Sequence, residues 1–600
     1  MKLSTLFAGL LCAAPALAQT PISFAPAQNA SAAPRNTAVA VTLSAPAGPG
    51  AATGLKVFSA QSGGKKSGTT TVNGNTISFA PSNPFLPGET VTATLANGAS
   101  VPQVWQFTAA ATGGSGAFSS SSTLSIPSSA STVASPMRMA DVDGDGDLDL
   151  LTFNLSVQYS SPPPPLTGNL AITTGMVKVH LNNGVGAFTT ISSVSLAPED
   201  PYSGGLNYRP ALDVADIDAD GDLDILVSSV LAQVFVLVNN GTGAFTLAST
   251  IKAGAANSNS LVTGDIDGDG DLDYISTTQG LSSHTYTFDT SIGINDGGGN
   301  FTIGASGNFS GAYYSIIKAL KDIDGDGALD AVGTDATGVW LYAWLNNGSG
   351  SFSSAHRLND AGDNISSWAL GDYDADGDLD LAVVAYTNCS SCGRTVKIMA
   401  NDGTGNFSNN GLPVYPYSGQ LSSADINGDG RIDLLLTGYG FAGRPADTLK
   451  VMRNLGNGNF GRPQGYAIPN NDGTIVTGDV DGDGDIDVVA STYATSTLAG
   501  GTNTMLNGLG AVLGTAALTA SSFAVWPNPA SAASVLHVTL PVPASHATLR
   551  LATVLGQTVH TQSFTGNAAN IVSAGLASGV YLLTVQVEDQ APLTRRVAVE

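Results

Sequence analysis

The sequence predicts an all-β protein: a seven-bladed β-propeller flanked by two small β-sandwich domains. Three observations carry this. An acidic nine-residue loop, Asp-Val-Asp-Gly-Asp-Gly-Asp-Leu-Asp at 141–149, recurs in near-copy seven times, starting at Asp141, Asp216, Asp265, Asp322, Asp372, Asp425 and Asp479. A second motif, an Asn-Gly turn ending in Gly-x-Phe, alternates with it. Finally, 72 glycines and only 12% charged residues in 600 suit many short strands joined by tight turns, not long helices.

The chain opens with Lys2, the apolar run Leu3–Ala14 and Ala16-Leu17-Ala18, which read as a secretory signal over residues 1–18. That run is too short for a permanent membrane span, and no later stretch reads as one. Residues 19–110 form the first domain. Val39–Leu43, Leu55–Phe58 and Glu89–Leu95 alternate apolar with polar residues, as half-buried strands do. Under a hundred residues of this pattern predict a β-sandwich.

The propeller is expected over 111–515. Its repeat unit is clearest around the second loop. A strand enters (Leu212–Ala215), a second leaves (Leu223–Val227), a third follows (Gln233–Val238), and a fourth (Ala244–Leu247) comes after the turn. Four antiparallel strands in roughly fifty residues make one blade. The turn copies are Asn182–Phe188, Asn239–Phe245, Asn295–Phe301, Asn346–Phe352, Asn401–Phe407 and Asn454–Phe460, with a worn copy at Leu506–Gly510. The Ser-, Gly- and Ala-rich stretch 111–133 looks like a linker, yet Gly114–Phe118 matches the same turn. A fourth strand at Gly116–Ile126 is therefore expected to complete the last blade and close the ring, which removes free sheet edges. Residues 516–600 form the last domain, with strands at Val535–Leu540, Thr548–Ala552 and Val580–Val587.

Five carboxylates in nine residues repel one another unless a hard cation sits among them. Across the seven copies positions 1, 5 and 9 are always Asp, position 3 is Asp except at Asn427, and position 6 is always Gly. Calcium takes six to eight oxygens, with side chains at 1, 3 and 5 and a backbone carbonyl at 7, while a ninth-position carboxylate can bind through both oxygens. The expected ligand sets are Asp141, Asp143, Asp145, Asp147 and Asp149; Asp216, Asp218, Asp220, Asp222 and Asp224; Asp265, Asp267, Asp269, Asp271 and Asp273; Asp322, Asp324, Asp326, Ala328 and Asp330; Asp372, Asp374, Asp376, Asp378 and Asp380; Asp425, Asn427, Asp429, Arg431 and Asp433; and Asp479, Asp481, Asp483, Asp485 and Asp487. The seventh residue of each set acts through its carbonyl, which is why Ala328 and Arg431 are tolerated there. An EF-hand is excluded, because position 12 is never Glu and an apolar strand follows. The expected cofactor is structural Ca²⁺, up to seven ions.

The loops hold 32 of the 47 acidic residues, while outside them 21 basic residues face 15 acidic ones. The formal charge of −25 is thus concentrated in the loops, and no basic stripe exists for nucleic acid. After signal removal the cysteines are Cys389 and Cys392, for which a small disulfide across a loop is expected in an exported chain.

The loops and turns over about 112–512 are similar to the FG-GAP/VCBS repeats of the integrin-alpha-type propeller, which implies calcium on one rim. Asn427 and Arg431 depart from that pattern, so the sixth loop should bind more weakly. The first domain, with its closing Trp105-Gln106-Phe107-Thr108, resembles bacterial Ig-like domains. The last resembles the C-terminal sorting domain of type IX secretion substrates through Trp526-Pro527-Asn528-Pro529, Leu555–Val559, Gly575–Leu583 and Arg595-Arg596-Val597. This resemblance implies passage across the outer membrane by the type IX machinery, with release or attachment at the cell surface.

The rim opposite the Asp loops collects Tyr159, Tyr202, Tyr208, Tyr313, Tyr314, Trp368, Tyr415, Tyr417 and Tyr466. Aromatic-bearing loops on a rigid scaffold suit a glycan or protein ligand; packing between blades is the alternative. His180, His284 and His356 are scattered, and no nucleophile or phosphate-binding motif is found. The expectation is a secreted or surface-displayed binding or adhesion protein with no catalytic residues, an extracellular polysaccharide lyase or hydrolase being the alternative.

Overall fold

A computed structural model describes residues 19–508 and 524–599 apart from connecting stretches within them, the longer being 127–135, 160–169, 197–210, 387–394, 410–419, 438–447 and 493–500. The expected signal sequence, Cys389 and Cys392 lie outside the described residues. The chain forms two compact units, one up to Gly510 and one from Ala511.

The first unit begins with two facing sheets. One orders Pro21–Ala25, Val39–Leu43, Thr76–Pro81 and Gly68–Asn73; the other Leu55–Ser59, Thr90–Leu95 and Gln103–Thr108. Alternation decides which face is inside. Val39, Val41 and Leu43 are fully buried, whereas Ala40 and Thr42 between them stay half-exposed. Trp105, Phe107 and Phe85 fill the interior, the last two edge-to-face.

Seven further four-stranded antiparallel sheets follow in the described residues. The second consists of Leu212–Ala215, Asp224–Ser228, Gln233–Val238 and Thr246–Lys252, in sequence order. Its second strand is buried on both faces and its fourth is mostly exposed. Such a strand needs continuous apolar residues, and Ile225-Leu226-Val227 provides them. The fourth strand starts at Thr246, not at Ala244, because Phe245 is still engaged in plugging the turn into the core. First strands of successive sheets lie against one another and so line the ring's axis. The last sheet takes its fourth strand from the chain's beginning: Gly501–Leu506 pairs with Ser119–Ser125. That seam is the one expected from the leftover pieces. It is held by Tyr466, whose hydroxyl donates to the Gly116 carbonyl at 2.6 Å and whose ring meets Phe118 edge-on.

The second unit is a five-stranded sheet, with Ala524–Trp526, Val535–Thr553, Gly579–Val587 and Leu593–Val599 in order and Thr558–Val572 also on Val535–Thr553. Val535–Leu540 and Thr548–Ala552, expected as separate strands, run on as one, with register shifts between Thr539 and Ala547. Asn528 is tied to the last strand, donating to the Arg596 carbonyl and accepting from the Ala598 amide.

Candidate metal-binding loops

Each Asp loop joins the first strand of a sheet to the second. Two left-handed residues curl it. Position 6 is Gly at φ between 82° and 100°, and position 4 is also left-handed, even where it is Ala219 or Ala375. The curl aims backbone N–H groups inward at the carboxylates. Position 1 accepts the position-4 amide on one oxygen (Asp141 from Gly144, 2.8 Å) and the position-6 amide on the other (Asp265 from Gly270, 2.9 Å). Position 3 accepts the amide of position 5, and position 5 that of position 7. One carboxylate oxygen from each of positions 1, 3 and 9 then lies within 4.8 Å of the others in Asp141/Asp143/Asp149, Asp216/Asp218/Asp224, Asp322/Asp324/Asp330 and Asp372/Asp374/Asp380; in the third loop the set is Asp265/Asp267/Asp269. These clusters could hold a metal ion. Position 5, expected beside 1 and 3, stands in the cluster only in that third loop among those named.

Among the described residues, two buried carboxylate oxygens at ligand positions 1 and 9 have no hydrogen-bond partner: Asp216 Oδ1 and Asp433 Oδ2. A buried, unpaired carboxylate oxygen is costly, and a cation among these groups removes the cost. The donor set therefore fits a hard, oxygen-seeking ion.

Position 9 does more than the sequence indicated. Its Oδ1 accepts the amide of the turn Asn at 2.6–2.9 Å in all seven units. In six of them its Oδ2 accepts the amide of position 2 at 2.9–3.2 Å. The same turn Asn carries a second contact that the sequence reading missed. Its Nδ2 donates to the position-8 carbonyl of its own loop and to the position-2 carbonyl of the neighbouring loop. Asn239 reaches Val142 (2.8 Å), Asn295 reaches Ile217 (2.7 Å), and Asn346, Asn401, Asn454 and Asn507 continue the series. Asn182 reaches Val480, from the first sheet to the last. The turn itself needs only the left-handed glycines that follow this Asn, so the unbroken recurrence of the Asn was the available signal.

Position-7 side chains turn away toward the Asn-Gly turn. A Cβ added at Gly184, Gly241, Gly297 or Gly403 would lie 2.5–2.7 Å from an oxygen of Asp147, Asp222, Asp271 or Asp378. In the sixth loop Arg431 folds back onto Asp429 and donates to the Asn454 carbonyl at 3.0 Å. That loop carries its own cation.

Burial raises the position-9 carboxyls far above the usual range, outweighing their N–H donors: to about 7 at Asp149, Asp224, Asp380, Asp433 and Asp487 and about 8 at Asp273 and Asp330. Without metal the folded chain keeps protons that the unfolded chain has released above pH 4. Stability is then full at low pH and falls as pH rises from about 4 to 8. Melting in chelator should accordingly fall across that range, and saturating calcium should flatten the fall; differential scanning fluorimetry against pH checks both.

Of the aromatic group, two members have described side chains. Trp368 packs into the core between the fourth and fifth sheets, and Tyr466 holds the seam, so both are structural. Tyr159 and the other tyrosines of the group lie outside the described side chains. His180 is buried between the Thr152 and Thr190 hydroxyls, with its pKa lowered to about 4 by burial, which also makes it structural.

Three family models match parts of the chain. A bacterial Ig-like domain matches residues 17–112, FG-GAP-like repeats match 170–227, 216–276, 322–383 and 425–490, and a secretion system C-terminal sorting domain matches 524–600. No curated protein matches the chain. Among solved structures, a copper-bound fungal alcohol oxidase is 12% identical, covering 81% of this chain and 99% of its own at a TM-score of 0.41. A Bacteroides thetaiotaomicron protein of unknown function is 12% identical (82% and 99%, TM-score 0.26), and the V. cholerae biofilm matrix protein Bap1 is 11% identical (78% and 88%, TM-score 0.15). These scores are too low to carry an argument about chemistry. Among the described residues no helix is long and apolar enough to cross a membrane. The chain therefore carries a bacterial Ig-like domain, FG-GAP-like repeats and a type IX C-terminal sorting domain, and is an extracellular repeat protein secreted to the outer cell surface.

Proposed function

We propose that the protein is a calcium-loaded propeller that binds a glycan or protein ligand at the cell surface or after release. The observation that carries the metal half is the cluster of convergent carboxylates that recurs from loop to loop, with a buried oxygen left unpartnered at Asp216 and at Asp433. Positions 1, 3 and 9 would hold the ion through side chains, with position 5 and the position-7 carbonyl completing an oxygen shell of the size calcium prefers. The ion supplies charge neutralisation, and the chain supplies a rigid frame for the loops of the other rim. The FG-GAP-like and sorting domains support a binding role over a catalytic one, and the chain is handed to the type IX machinery for export.

Isothermal titration of calcium into the chelator-treated protein tests the metal sites. Arg431 already neutralises Asp429, so the sixth loop is expected to stay empty and at most six ions to bind. Arg431→Asp should add one ion, and an unchanged stoichiometry would contradict that assignment. For the ligand, a glycan array probed with the calcium-loaded protein should be paired with reducing-sugar and unsaturated-product assays. Binding without turnover is expected; turnover would overturn the binding reading in favour of an enzyme.

A further inference from the structure

The Ig-like domain touches all seven Asp loops, and it does so by rule. In the first four loops it meets the position-1 carboxylate on Oδ2. Ser62 Oγ lies 3.3 Å from Asp141, the Lys65 amide 2.8 Å from Asp216, Thr94 Oγ1 2.6 Å from Asp265, and Gln28 Nε2 2.6 Å from Asp322. In the last four loops it meets the position-6 carbonyl. The Val104 amide donates to Gly327 (2.8 Å), Asn29 Nδ2 to Gly377 (3.1 Å), Ser31 Oγ to Gly430 (2.6 Å) and the Thr112 amide to Gly484 (2.8 Å). The Lys56 ammonium adds a pair with Asp271, a position-7 side chain, at 2.8 Å.

These atoms are those that a bound cation leaves free. In the second, third and fourth loops the same Oδ2 also accepts the position-6 amide, and the position-6 carbonyl is not the ligating one. Ion and domain therefore do not compete for lone pairs. The fit is close: a Cβ on Gly64 would lie 2.1 Å from the Asp216 Cβ. The loop presenting it is braced from within, by Lys66 paired to the buried Glu89. Between the domain and the ends of the axial strands lies a cavity of about 240 Å³ whose lining includes Gln106, Lys321, Asp372 and Asp425. Lys321 Nζ donates to Gln106 Oε1 at 2.7 Å across this junction.

We propose that the Ig-like domain is a calcium-dependent stopper on the Asp-loop end of the propeller axis. This rests on the calcium loading proposed above. Each contact alone is weak, so docking depends on making them together. Seven loops hold the needed register only while their carboxylates are neutralised. Removal of the ions splays the loops, and the tethered domain leaves the rim while remaining folded. The docked domain covers this end, so ligands are left the opposite rim.

Hydrogen exchange on the full chain, with bound calcium measured in the same samples, tests this. In chelator the Lys65, Val104 and Thr112 amides should exchange roughly 100-fold faster while Val41 and Ala93, inside the sandwich, keep their protection. Gly64→Ala should open the Lys65 and Val104 amides with at most the second loop's ion lost. If the protein binds no calcium, the metal reading fails. If calcium binds and leaves while the three amides stay protected, the stopper is overturned and the metal reading stands. Simultaneous loss of protection at Val41 and Ala93 would also overturn it, because the domain would then be unfolding and not undocking.

Discussion

In excess chelator the FG-GAP-like ring is expected to melt on the order of 20 °C below its melting point in saturating calcium. An ion held at a hundred times its dissociation constant stabilises the folded state by about 2.7 kcal/mol per site, and several independent sites add. Loss of the ions has a second cost, because each emptied loop retains between three and five carboxylates. Burial, with a smaller push from neighbouring carboxylates, raises the carboxyl pKa values, to about 8 at Asp273 and Asp330. The measurement is a thermal melt followed by fluorescence at neutral pH, with calcium restored as the control. A curve unmoved by chelator would remove these loops from consideration as metal sites.

Asp330→Ala is expected to lower the stability of the ring by roughly 3–5 kcal/mol even in chelator, where no ion is left to lose. Asp330 is fully buried and accepts the Ile323 amide at 3.0 Å and the Asn346 amide at 2.7 Å. Its removal leaves two buried donors unpaired and frees the turn whose Asn346 bridges to Ile266 of the neighbouring loop. Asp330→Asn should be nearly as damaging, because an amide can offer an acceptor to only one of the two N–H groups. Asp326→Ala, at the exposed fifth position of the same loop, should be close to neutral in chelator and cost stability only when calcium is present. Denaturant midpoints for the three variants, with and without calcium, separate the keystone role of position 9 from its role as a ligand.

The repeat made much of the fold legible. Strands at Val39–Leu43, Leu212–Ala215 and Gln233–Val238 were readable to the residue, because alternation and the strand-loop-strand order are local properties. The seam between Ser119–Ser125 and Gly501–Leu506 was also readable, since a missing strand at one end and a spare at the other can pair in one way. Less legible were elements whose neighbours decide their extent. Phe245 withdrew the start of its strand into the core, and Val535–Thr553 became one strand where two were expected. The aromatic group was ambiguous for the same reason: nothing local tells Trp368 or Tyr466 whether a neighbouring sheet will cover it.

The sequence alone determined the donor chemistry of the loops and its repetition. Carboxylate spacing, the glycine at position 6 and the apolar strand that follows are encoded within nine consecutive residues and their flank. Only the tertiary structure decided how the loops are joined to everything else. The Asn bridge from each turn to the next loop, and the grip of the Ig-like domain on all seven loops, connect residues up to 399 positions apart. Each such contact is one ordinary hydrogen bond. Its place depends on the closed ring bringing loop ends to a common rim, a geometry that no short stretch of the chain contains.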